Sequence, residues 1–152
     1  MKFKRRLTGA QKRAADFPVA TIAAYGPTNQ TATKIAVGIV EKPNGPVASM
    51  QRWFWNGTLD IRQDTKVADE VGQFIKLHQA KKTVISEKIM GCLHEEGIDY
   101  PDGEVCPQCP FWAGRDRFAP EAAEDGRADR FARARLLAQL ASKIKLPVRG
   151  DE

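Results

Sequence analysis

The stretch GCLHEEGIDYPDGEVCPQCPFW, residues 91–112, holds all 3 cysteines of the chain and one of its 2 histidines. No other feature restricts the fold as much. The order is Cys92-x-His94, eleven residues, then Cys106-x-x-Cys109. Zinc takes four soft or borderline ligands in a tetrahedron, and Cys3His is a common set. A C-x-x-C pair can bite one metal because its turn brings both sulfurs to one side, and Pro107 helps to set that turn. The intervening EEGIDYPDGEV is rich in Gly, Pro and Asp, so it can double back without a helix or strand of its own. Cys92, His94, Cys106 and Cys109 are therefore expected to be zinc ligands, two pairs across a hairpin-like loop. An odd number of cysteines argues against a closed disulfide framework. In a reducing compartment, clustered thiols are more often metal ligands or catalytic groups.

The loop resembles a zinc knuckle, with two departures. Pro110 stands where knuckles have glycine, and C-x-H is a tighter first pair than C-x-x-C. A catalytic alternative comes from His94-x-Glu96 followed by Cys106-x-x-Cys109, which resembles the signature of zinc deaminases. That resemblance implies a zinc-dependent hydrolase with Glu96 as general base and one metal position open to water. Here Val105 replaces the proline expected before Cys106. Eleven loop residues cannot hold the helix and strand that deaminases place between the two halves. Binding by Cys92 would also close the site. A cysteine nucleophile would need a nearby base and an electropositive setting, and these cysteines lie among acids. His78 could serve as the base, but it falls on an apolar helix stripe, where a core histidine is expected. The phosphate-binding, dinucleotide-binding and G-x-S-x-G motifs do not occur.

The pattern before the loop fixes the fold class. PVATIAAYG reads as a strand ending at a Gly26-Pro27 turn. TATKIAVGIVEK is a second, with Ile35, Val37 and Ile39 alternating onto one face. PNGP supplies a tight hairpin at Asn44-Gly45, and VASMQRWFW is the third strand. Trp53, Phe54 and Trp55 alternate in direction, so at least one of them faces the surface. Asp64 caps a helix running to about Ala80. Its stripe of Val67, Val71, Phe74, Ile75 and His78 faces a core. KTVISEK is a short β-branched fourth strand, and a last helix fits residues 121–145. The expectation is an α+β fold with a three-stranded antiparallel meander, a helix, a fourth strand, the zinc loop and a C-terminal helix. This β-β-β-α-β order resembles the first part of a ribonuclease H-like fold, in topology only. Those nucleases carry a metal-binding aspartate in the first strand, whereas residues 17–40 here contain no acid.

With 152 residues, 42% of them hydrophobic, the chain suits one domain with tails. The expected divisions are a flexible basic arm at 1–17, a core at 18–118 and a C-terminal helix and tail at 119–152. The formal charge is +5, but its distribution says more. Residues 1–15 carry six bases and no acid, residues 126–150 carry seven bases against Asp129, and residues 83–125 carry ten acids against three bases. The chain is basic at both ends and acidic around the cysteines. Lys2, Lys4, Arg5 and Arg6 could track a phosphate backbone, so nucleic acid is one candidate partner. Arg127, Arg130 and Arg133 lie along one side of the last helix and could instead pair with the acidic loop. Leu136, Leu137, Leu140 and Ile144 form an apolar stripe on that helix. Leu137, Leu140 and Ile144 could bury in a homodimer or a protein partner. No apolar run approaches the roughly 18 residues of a membrane helix, and the stretch after the basic start contains Asp16 and Pro18 and reads better as a strand than as the apolar core of a signal peptide. The expected location is the cytoplasm.

The clasp sequence GCLHEEGIDYPDGEVCPQCPFWAGRDRF, with AYGPTNQTATKIAVGIV, resembles a family of small bacterial proteins. The resemblance implies a bacterial single-domain protein and brings no activity or substrate with it. The zinc assignment rests on the residues themselves, and the chain is expected to be a zinc-binding regulatory or accessory module.

Overall fold

The computed structural model describes residues 8–115 and 127–144. It opens with a short helix, α1 (Gly9–Ala15), inside the stretch read from sequence as an arm. Its sequence, GAQKRAA, is dominated by strong helix formers. Lys2, Lys4, Arg5 and Arg6 lie outside the described residues. Strands β1 (Val19–Tyr25), β2 (Lys34–Val40) and β3 (Val47–Phe54) follow as the expected antiparallel meander. At the β2–β3 hairpin, Asn44 takes a positive φ of 56 and Gly45 donates its N–H to the Lys42 carbonyl at 3.0 Å. Helix α2 (Thr65–Leu77) then crosses over, and β4 (Lys82–Ile89) adds to the sheet beside β1 and parallel to it. The strand order is β3-β2-β1-β4, a mixed four-stranded sheet. A C-terminal helix, α3 (Arg127–Ile144), completes the α+β fold. The remainder of the expected 121–145 helix is outside the described residues.

One sheet face carries the core. Ala20, Ile22 and Ala24 of β1 point there with Ile35, Val37 and Ile39 of β2, Trp53 of β3, and Ile85 and Ile89 of β4. Period-two alternation puts these residues on one side. Helix α2 covers them with Val67, Ala68, Val71 and Ile75. Asp64 caps that helix as expected, its side chain accepting the Val67 N–H at 2.8 Å. His78 ends the helix and packs on Phe74, with ring centroids 4.5 Å apart. Helix α3 packs on α2 and β4, and sends Leu136 and Leu140 into the same core, with Leu137 packed against it. The apolar stripe thus has an intramolecular partner along these positions. The side chains of Ile144, Arg127 and Arg130 are outside the described residues. Of the three consecutive aromatics, Trp53 is buried, Trp55 packs against the core, and Phe54 is the exposed one at 62%. Among the described residues, no helix is long and apolar enough to cross a membrane.

A buried carboxylate locks the crossover to the sheet. Asp60 accepts from the backbone N–H of Ala32 and of Arg62, both at 2.9 Å, and pairs with the Arg62 guanidinium at 2.8 Å. Three kinds of donor on one aspartate hold the entry to β2 against the turn that leads into α2.

The other sheet face is where the site lies. Register places Tyr25, Lys34 and Phe54 side by side across β1, β2 and β3. The next rows on that face are Ala23, Ala36 and Arg52, then Thr21, Gly38 and Met50.

Candidate metal centre

The loop after β4 folds back over the Tyr25–Lys34–Phe54 end of this open face. Within it, Cys92, His94, Cys106 and Cys109 converge so that their ligand atoms all lie within 4.8 Å of one another. The three sulfurs stand 3.2, 3.4 and 3.4 Å from His94 Nδ1, in the order Cys92, Cys106, Cys109. This is the four-residue set expected from sequence, and the tight separations suit four donors around one ion.

Local backbone conformation explains the convergence. In the first pair, the His94 N–H turns onto Cys92 Sγ at 3.2 Å, which brings the imidazole and the thiol to one side. In the second, backbone N–H groups of Gln108 and Cys109 point at Cys106. Donors aimed at sulfur favour a thiolate, the form that binds metal. Pro110 starts a 3-10 turn, Pro110–Trp112, and so closes the second pair where a glycine would otherwise be used. Between the pairs, Gly97 and Gly103 take positive φ values of 79 and 81, and the loop doubles back. The Glu96 carboxylate accepts the Gly103 N–H at 2.7 Å and Asp99 accepts the Glu95 N–H at 2.8 Å. Glu96 is therefore engaged in holding the loop's own turn.

The electrostatics of the thiols are unequal. Burial pushes Cys109 up to about 12 from an ordinary 9.0, helped by the neighbouring Cys92 and Cys106. Burial also raises Cys92, opposed by the His94 N–H. At Cys106 burial acts in the same sense, but the donors from Gln108, Cys92 and Cys109 outweigh it and the thiol falls below its ordinary value. Three crowded sulfurs resist ionising together unless a cation neutralises them. A borderline-soft divalent ion with tetrahedral preference fits this donor set, whereas magnesium and calcium seek oxygen ligands.

The clasp is latched to the sheet by groups that sequence reasoning missed. The Lys34 side chain, only 3% exposed, donates to the carbonyl of Leu93, between Cys92 and His94, at 3.0 Å. Its ammonium lies 3.7 Å from Glu95 and within 5.5 Å of the Tyr25 and Phe54 rings. Arg52 grips the same Glu95 carboxylate from β3 through two nitrogens, at 3.0 and 2.9 Å. On the far side of the clasp, Trp112 Nε1 donates to the Gly26 carbonyl at 2.8 Å, and the Gly26 N–H donates to Gly91 at 3.0 Å. A Cβ at Gly26 would run into the Thr31 carbonyl, so the close approach needs glycine. The acidic loop thus finds its cations in Arg52 and Lys34. The only sequence signal for this latch was a lysine at the start of a strand whose next alternate positions are apolar or small.

No family model, curated protein or solved structure matches this chain. The site is read from its own geometry.

Proposed function

We propose that this chain is a small zinc-binding module whose metal has a structural role: it closes the 91–112 loop into a rigid clasp over one end of the open sheet face. The observation that carries this reading is the approach of three sulfurs to His94 Nδ1 at 3.2–3.4 Å. Four protein donors at such separations fill a tetrahedron and leave no position for a water. That supports a binding or accessory role over a hydrolytic one. So does Glu96, whose carboxylate binds the Gly103 N–H within the loop rather than standing free as a base. Zinc would be held by Cys92, His94, Cys106 and Cys109, with charge and shape supplied to the clasp surface rather than to a reacting substrate.

The reading is tested by metal analysis of protein purified without added metal, paired with X-ray absorption at the zinc edge. About one zinc per chain in a three-sulfur, one-nitrogen shell is the expected result. Metal-free protein with three freely titrating thiols and an unchanged melting temperature would remove the basis for it. A shell of two sulfurs, one nitrogen and one light oxygen would instead revive the hydrolase.

A further inference from the structure

We infer that β3 is a docking edge for an extended segment of a partner protein that carries Lys or Arg at alternate positions. The sheet order leaves β3 with β2 as its only neighbour among the described residues. The direction of its backbone groups follows from one bond. The Trp55 N–H donates to the Thr33 carbonyl at 2.9 Å, while the Thr33 N–H turns to the Tyr25 carbonyl at 2.8 Å, so this single bond fixes that the Trp55 backbone faces β2. Bonded and non-bonded pairs alternate in an antiparallel ladder. Trp53 and Gln51, opposite Ile35 and Val37, therefore bond inward to β2. Met50, Arg52 and Phe54 turn their N–H and C=O groups outward, three consecutive rungs available to a new strand.

The outward stretch Met50–Phe54 lacks the usual protection: the one register shift of the β2–β3 pair falls before it, between Ile39 and Val40 of β2. Exposed edges are generally blunted by free charges, prolines or bulges. The opposite edge strand has such devices: β4 carries Lys82, Glu87 and Lys88, and its register shifts between Ile22 and Ala24 of β1. By contrast, the one charge of β3, Arg52, is held by Glu95 and does not guard the edge. Met50 and Phe54 flank it at 44% and 62% exposure.

Charge selects the occupant. Residues 89–114 contain Glu95, Glu96, Asp99, Asp102 and Glu104 and no lysine or arginine. Lys34 and Arg52 both pair with Glu95; Glu96, Asp99, Asp102 and Glu104 are exposed, two of them, Glu96 and Asp99, also accepting a backbone N–H of the loop. This acidic clasp overhangs β3 at Arg52. A second copy would bring a second acidic clasp to the same edge, whereas a cationic strand is attracted. Long basic side chains on the open-face side of that strand can lay their stems on Met50 and Phe54 and reach the clasp carboxylates with their heads.

The test is residue-resolved amide exchange on the metal-loaded full chain, with the synthetic peptide Ac-TRTRTRT-NH2 and its counterpart Ac-TETETET-NH2. Saturating arginine peptide should slow the Met50, Arg52 and Phe54 amides roughly tenfold or more, and the glutamate peptide should not. Met50→Lys should abolish the effect with an unchanged melting temperature. Met50→Pro should do the same, because the lost N–H points away from β2. Unchanged exchange at saturating arginine peptide would overturn the inference, and so would equal protection by both peptides. Protection that grows with protein concentration alone would overturn it in favour of a second copy.

Discussion

Lys34 occupies an unusual position for a lysine, with its ammonium taken out of water at a strand start and given one carbonyl, a distant carboxylate and two aromatic faces. Removing a buried donor costs about 1–3 kcal/mol, because its acceptor stays behind without a partner. Lys34→Met keeps the stem and deletes the donor to Leu93. It should lower stability by that amount and speed zinc loss to a chelator, read by a colorimetric chelator assay. Arg52→Ala, at a pair about one third exposed, should cost well under about 1 kcal/mol and leave zinc retention nearly unchanged. The contrast between the two separates the buried half of the latch from the exposed half. Among the four converging residues, Cys109 is the most deeply buried at 1% exposure. Structural zinc contributes on the order of 10 kcal/mol in small sites. Cys109→Ser and Cys106→Ser should therefore lose metal and melting temperature together, while Met50→Lys moves neither.

At the scale of elements, α2 offers a clean measurement of what holds the scaffold. Asp64→Ala removes the acceptor of the Val67 N–H and should cost about 1 kcal/mol by denaturant titration, with zinc content unchanged. Much of this architecture was legible in the sequence, because hydrophobic alternation and an apolar helix stripe are local signals. The meander, the capped helix and the β-branched fourth strand follow from such signals, and the Cys-x-His and Cys-x-x-Cys spacing pointed to the four residues that converge. The latch was not legible. It depends on register, which sets Tyr25, Lys34 and Phe54 in one row and Arg52 one row further. Nothing local tells which of Trp53, Phe54 and Trp55 faces out, since a short bulge or turn shifts the alternation. The exposed one is Phe54. Helix α1 escaped notice because its composition is equally that of a solvated basic tail.

For the molecule as a whole, the two clusters of buried residues divide the labour. One joins the sheet to α2 and α3, and the other consists of Cys92, Tyr100, Cys106 and Cys109 beneath the clasp. The second is too small to hold its loop by apolar burial alone, so under the proposed function a bound ion would supply most of its order. Chelation should then raise amide exchange across residues 92–109 while β1, β2 and α2 stay protected. Stability should respond to pH in opposite senses in the two forms. In metal-loaded protein all three thiols are thiolates, and protons compete with the ion as pH falls, so stability is lost on the acid side. In metal-free protein Cys109 titrates at about 12 against an ordinary 9.0. The folded state then holds its proton more tightly than the unfolded chain. That stabilisation is fully present below about 9 and disappears as pH rises toward 12. Cys92, also raised, acts in the same sense, and Cys106, lowered, acts in the opposite sense. Zinc binding near neutral pH should release about two to three protons, since Cys92 and Cys109 must both ionise. Calorimetry in two buffers of different ionisation enthalpy measures that number directly. Release of one proton or none would mean that the sulfurs are not the ligands.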